Sequence, residues 1–295
     1  MMTTAKNTMK TFVFLGALGG LLVLIGAALG PRFFGGATNG MMIFLFIAVA
    51  MNFVSYWWSD KIVIKMTRAK PVSEAEAPWL YRIVGTLSQS AGMPMPRLYL
   101  MPASQPNAFA TGRNPRKAVV AVTSGILEVL DEQELTGVLA HELAHVRNRD
   151  ILIGAVAATV AAAVTMLARL AMWGAILGGG GRDRNSGPFG GVAMLLSWIL
   201  APIAAFMIQM AVSRSREAQA DASGAQLLGD ATPLANALIK IDAAAKRTPQ
   251  MAVNPAVSHL FLHAPFRGQG VTKLFMSHPP LEQRLEQLRK LGARV

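Results

Sequence analysis

The sequence predicts an α-rich α+β membrane protein, in which four apolar helices carry water-exposed segments that include a small β-sheet. Three observations predict it. Of 295 residues, 53% are hydrophobic and only 15% charged, against about 25% charged in an ordinary soluble domain. Four long runs carry almost no charge. A mixed region with helical and strand periodicity lies among them. The net charge of +12 does not point to nucleic acid, because no basic and aromatic binding-module pattern accompanies it. Lysine and arginine gathering on one side of a bilayer explain it instead. With no cysteine in the chain, disulfides and thiolate sites are excluded, and His, Asp and Glu remain as strong metal ligands.

The first run is Phe12 to Leu29 and the second Met41 to Trp58. Both approach the roughly 20 residues that a spanning helix needs. "GAALG" near the end of the first run has the small residues of a signal-cleavage site. The run exceeds the usual apolar core of a signal peptide, which favours an uncleaved anchor. The third run, Ile151 to Ala168, is interrupted by Arg169 before Leu170 to Leu177, so Arg169 must snorkel, pair or face protein. The fourth, Val192 to Val212, contains Pro202 and Gln209 but no charge. Runs three and four read either as full spans or as a buried or re-entrant pair.

Lys6 and Lys10 precede the first run, while Lys61, Lys65, Arg68 and Lys70 follow the second. An even number of crossings with these flanks places both termini and the 59–150 segment in the cytoplasm. The cluster after Trp58 also suits anionic lipid headgroups. The chain thus divides into a helix pair (1–58), an exposed segment (59–150), a second helix pair (151–212) and a second exposed segment (213–295).

Within 59–150, Trp79 to Leu87 has amphipathic helical spacing. "RLYLM", "NAFAT" and "AVVAVT" read as strands, the last two joined as a hairpin by the polar turn "GRNPRK". "LGGGGRDRNSGPFGG" is a flexible loop without the strand and GK[ST] context of a phosphate cradle.

"LAHELAHVRNRD" carries the chemistry. Asp131 and Glu134 form a capping-box pair that starts a helix. On it His141 and His145 fall about 40° apart on one face, with Leu135, Leu139, Leu143 and Val146 grouped on another. Imidazoles one turn apart can grip one tetrahedral ion, with Glu142 beside them. HExxH alone also arises by chance on ordinary helices, so a third ligand must decide. In "SRSREAQADASG", Glu217 and Asp221 stand at i and i+4. Glu217 can supply the third oxygen, and Asp221 can accept a hydrogen bond from a ligating imidazole.

HELAH followed by EAQAD resembles the gluzincin zinc peptidases. "PNAFATG", "TSGIL", RNRD, "SRSREAQAD" and "SHPP" extend the likeness over nearly the whole chain to the HtpX-type membrane proteases, relatives of the CAAX prenyl proteases. The resemblance implies a zincin-like catalytic domain on the cytosolic side of a bacterial inner membrane and one Zn2+ per chain. It also implies membrane-protein substrates and a role in quality control. Glu142 would take a proton from a metal-acidified water and return it to the leaving amine.

Both ligand sets sit within roughly 10 Å of an apolar run. His145 lies just before Ile151 and Glu217 just after Val212. Docking runs three and four together would assemble the site, and metal would lock them. His278 is either an oxyanion stabiliser or a turn histidine before Pro279. Asn107, Ala108 and Phe109 belong either to an edge strand that accepts substrate backbone or to a core strand. His259 and His263 share the spacing, but no glutamate follows His259 and Pro265 disfavours a helix. A metal transporter would place its ligands in mid-bilayer, whereas Arg147, Arg149 and Asp150 put this motif in water. A zinc-stabilised scaffold would close the fourth position and need no base at Glu142.

Overall fold

A computed structural model describes residues 34–152, 214–248 and 279–295, with scattered positions between 9 and 31 and residues 156 and 260. Most of runs three and four, Arg169, the Gly-rich loop, the His259/His263 pair and His278 lie outside the described residues.

The second apolar run lies within α1, Ala37–Thr67. Its 31 residues extend about 46 Å, well beyond the roughly 30 Å of bilayer hydrocarbon. Only 11% of its most apolar window is buried within the protein. Met42, Phe46, Val49 and Phe53 project outward, as side chains that face lipid do. The described positions of the first run are helical and cross α1 at glycines. A Cβ on Gly26 or Gly40 would strike the other's carbonyl oxygen, so only hydrogen permits this backbone approach. The helix does not stop with the apolar run at Trp58. It continues through Asp60, Lys61 and Lys65 to Thr67 and ends at Arg68, in the left-handed conformation.

The short strand β1 (Lys70–Pro71) leads to α2 (Pro78–Ser90), which begins with proline at its first position and buries Leu80, Ile83, Val84 and Leu87 on one face. Strands β2 (Arg97–Met101), β3 (Ala108–Thr111) and β4 (Val119–Thr123) then complete a mixed sheet of order β1-β2-β4-β3. β2 and β4 are parallel, and β3 and β4 form the antiparallel hairpin that the sequence predicts. Gly112, at φ +135, turns that hairpin, where a Cβ would sit 2.6 Å from the Lys117 carbonyl oxygen. Period-two alternation gives the sheet two buried faces. Met101, Phe109 and Ala121 pack with Val63 at the end of α1, and Leu98, Val120 and Val122 face the main core. An ion pair from Arg97 to Asp60 at 2.8 Å also ties β2 to α1.

Thr123 caps the short helix α3 (Ser124–Val129), its Oγ1 accepting from Ile126 N at 3.2 Å. The central helix α4 (Glu132–Asn148) starts with the predicted capping box. Asp131 Oδ1 accepts from Glu134 N at 2.9 Å, and Glu134 Oε2 accepts from Asp131 N at 3.1 Å. Leu135, Leu139, Leu143 and Val146 are all buried in the main core; each contributes about 1.5–3 kcal/mol by leaving water. Around α4 pack α5 (Arg214–Leu228), α6 (Thr232–Arg247) and α7 (Leu281–Lys290). Two glycines allow these approaches. A Cβ on Gly224 of α5 would lie 3.0 Å from His141 N, and one on Gly137 of α4 would lie 2.5 Å from Leu234 N of α6. The first contact sets the separation of the two helices that carry the candidate ligands.

Candidate metal centre

α4 presents His141 and His145 one turn apart, and α5 brings Glu217 against them. His141 Nε2 and His145 Nε2 are 3.1 Å apart. Glu217 Oε2 lies 3.7 Å from His141 Nε2, and its Oε1 lies 3.5 Å from His145 Nε2. A tetrahedral ion with bonds of 2.0–2.1 Å holds its ligand atoms about 3.3 Å apart. The three distances bracket that edge, so the donor atoms already outline one face of a zinc-sized tetrahedron.

A carboxylate backs each imidazole on the far nitrogen. Asp221 Oδ1 lies 2.8 Å from His141 Nδ1, and Asp150 Oδ2 lies 3.1 Å from His145 Nδ1. A carboxylate there accepts a hydrogen bond from Nδ1–H and leaves Nε2 with its lone pair toward the ion. Asp221 is itself held by Arg284 of α7, Nη2 to Oδ1 at 2.5 Å and Nε to Oδ2 at 3.1 Å. Glu142 faces the sheet, where its Oε2 accepts from Ala110 N at 2.9 Å. Just ahead of β3, Thr123 N donates to Asn107 O at 2.9 Å and Asn107 N donates to Thr123 Oγ1 at 2.8 Å. By alternation, Ala108 and Ala110 turn their backbone groups outward from the sheet. The predicted strand is thus both a core strand by its side chains and an edge strand by its backbone. Phe109 packs inward with Val63, and Asn107 fastens the strand's start, with Nδ2 donating to Leu260 O at 3.2 Å.

Among the described residues, the buried carboxylates Glu142, Asp150, Glu217 and Asp221 lie close to the buried guanidiniums of Arg216 and Arg284. Burial acts to lower the His145 pKa, but Asp150, Glu217 and Glu142 overcome it and raise the group to about 10. Burial pushes Glu142 up to about 7. For His141, burial and then Arg284 press downward to about 4, which keeps it neutral. Burial works against ionised Asp221, yet Arg284 and His141 hold it well below the usual carboxylate range.

A family model described as peptidase family M48 matches residues 74–292. The chain belongs to peptidase family M48. M48 membership makes it a metalloendopeptidase, and α1 is long and apolar enough to cross a membrane. The chain is 50% identical over 286 residues, 97% of its length and 99% of the relative's, to "Protease HtpX homolog" of Pelotomaculum thermopropionicum. It is 49% identical to the protein of the same name from Thermococcus sibiricus, over 96% of each chain. The crystal structure of S. mikatae Ste24p is similar over 97% of this chain and 66% of that one, with a TM-score of 0.49 and 20% identity.

The structure brings His141, His145, Glu217, Glu142 and Asp221 of this M48 chain together. Asp150 and Arg284 join them without having been singled out by sequence. Asp150, read from sequence as a water-facing charge, is 7% exposed. The left-handed Arg149 ends α4 and folds the next residue back under His145.

Proposed function

We propose that this chain is a zinc endopeptidase that cleaves membrane proteins at the cytoplasmic face of a bacterial inner membrane, in the service of membrane-protein quality control. The tetrahedral-face spacing of His141, His145 and Glu217 carries the reading. A zinc ion bound to those three residues would supply a Lewis acid for the scissile carbonyl and a water acidified toward neutral pH.

The rest falls to the chain's own residues. Asp221 and Asp150 hold the imidazoles in one tautomer and one orientation. Ala110 N–H holds one oxygen of Glu142, leaving the other to take the water's proton and pass it to the leaving amine. A carboxyl titrating near 7 is well matched to that two-way transfer. The outward backbone of Ala108 is placed to pair with an extended substrate, and Asn107 and Phe109 hold that strand in position. His278 is assigned to the oxyanion. Both termini, the 59–150 segment and the 213–295 segment are assigned to the cytosol, with runs three and four embedded in the bilayer.

The test uses purified chain and Glu142→Gln, each loaded with one equivalent of zinc, and a model membrane protein as substrate. Equal metal content with hydrolysis lost in the variant is expected. Equal processing by both rules the mechanism out.

A further inference from the structure

We infer that the chain holds an anionic phospholipid headgroup in a cavity between α1 and the turn from β3 to β4. The cavity measures about 570 Å³. One side of it is aromatic, formed by Phe53, Trp57 and Trp58 where the apolar run of α1 ends. The other is basic, formed by Lys61 one turn further along α1 and by Arg113, Arg116 and Lys117 of the turn. Asp60 and Arg97 also border it, but they neutralise each other in the ion pair at 2.8 Å. Among the described residues, none of the four remaining cations has a carboxylate within ion-pair distance. Four like charges around one cavity repel unless an anion sits among them.

Two features select a lipid phosphate. Trp57 and Trp58 are 46% and 41% exposed and stand at the end of a membrane-length apolar stretch, where indoles settle at headgroup level. The Arg113 guanidinium lies 4.0 Å from the Trp57 ring centroid, so the basic turn is pinned to that same level. Acyl chains and glycerol would lie along the aromatic side, and the phosphate would face Lys61, Arg116 and Lys117. A planar guanidinium suits phosphate oxygens in pairs. Of these four cations only Lys61 belongs to the basic cluster that follows Trp58; the other three come from a turn more than fifty residues later.

Full-length chain in nanodiscs of equimolar phosphatidylglycerol and phosphatidylcholine provides the test, with retained lipid counted by native mass spectrometry. Phosphatidylglycerol should be retained in preference, and the R116Q/K117Q variant should retain at least about five-fold less, since each basic residue near an anionic surface strengthens association roughly five-fold. A photoactivatable phosphatidylglycerol should label 53–61 and 112–118 of the unaltered chain, which needs no variant to fold. Equal retention of the two lipids, or labelling elsewhere, overturns the proposal. So does complete displacement by millimolar inorganic phosphate, which would assign the cations to a free anion. The readout is binding, so it stands apart from whether the protein hydrolyses peptides.

Discussion

Arg284 and Asp221 form a two-point ion pair in the interior, 2.5 and 3.1 Å long, and the Asp221 oxygen on the shorter bond also meets His141 Nδ1 at 2.8 Å. The last helix of the chain thereby braces an imidazole on the central one. Arg284 is only 2% exposed, so its charge is compensated by this contact rather than by water.

Arg284→Gln should therefore cost about 3–5 kcal/mol of stability, the usual consequence of stripping one partner from a buried pair. Metal affinity should fall about 10–100-fold, since the support behind a ligating histidine is weakened. Thermal unfolding and competition against a fluorescent chelator measure the two effects. An unchanged metal affinity in a folded variant would refute the bracing role.

Asp150→Ala should act on His145 as loss of Asp221 would on His141, with metal affinity lowered about 10–100-fold. It should also remove the main charge that raises the His145 pKa in metal-free protein. NMR titration of the His145 ring would see the drop. A ring that still titrates near 10 would show that Glu217 and Glu142 suffice.

Stability of the metal-free protein should depend on Glu142. Its pKa is about 7 in the folded chain against an ordinary 4.5. A raised folded value means stability that is complete below about 4.5 and lost as pH climbs through 7. The loss amounts to roughly 3 kcal/mol. In Glu142→Gln this loss should be missing, so the two proteins' curves should diverge by roughly 3 kcal/mol between pH 4.5 and 7, on top of the slopes that His141 and His145 give to both. Denaturant titrations in chelator between pH 4.5 and 8 decide it; parallel curves for the two proteins would contradict the assignment.

Metal binding should tighten as pH rises. His145 holds a proton up to about pH 10 in the metal-free site, and an ion must displace it. Affinity should grow by about tenfold per pH unit between 7 and 9, with close to one proton released per ion in unbuffered calorimetry. No proton release would mean that His145 is already neutral.

Gly224→Ala should loosen the same site from the backbone side. The added methyl would press on His141 N at 3.0 Å and His141 Cα at 3.1 Å, neither of which can move without α4. Overpacking of this kind costs about 1–3 kcal/mol. Wild-type stability and metal affinity in this variant would show that α5 can back away freely.

Much of the centre was legible because its signals are local. The Asp131–Glu134 capping box fixes the start of α4, and helical geometry then puts His141 and His145 on one face. The Glu217/Asp221 spacing likewise brings both carboxylates to His141, Glu217 on the Nε2 side and Asp221 on the Nδ1 side. Asp150 escaped because a charged residue beyond a helix end ordinarily faces water, and only the left-handed Arg149 turns it inward. Arg284 escaped because it falls beside Leu281, Leu285 and Leu288 on one helical face, where arginine usually lies at the edge of an apolar stripe. Its burial depends on Asp221, more than sixty residues away, and helical periodicity carries no information about that. The same limit hid the partnership of Ala110 with Glu142, which needs the sheet to be set against α4.

Because α1 passes without a break from its apolar stretch into the sheet's packing at Val63, it behaves as a stilt. Five residues past Trp58 hold that packing about 8 Å beyond the aromatic girdle, the distance that about two extended residues span. For the membrane-anchored substrates proposed above, that much slack would have to be paid out before the backbone reaches the sheet, so scissile bonds should be spared at the first positions beyond a transmembrane segment.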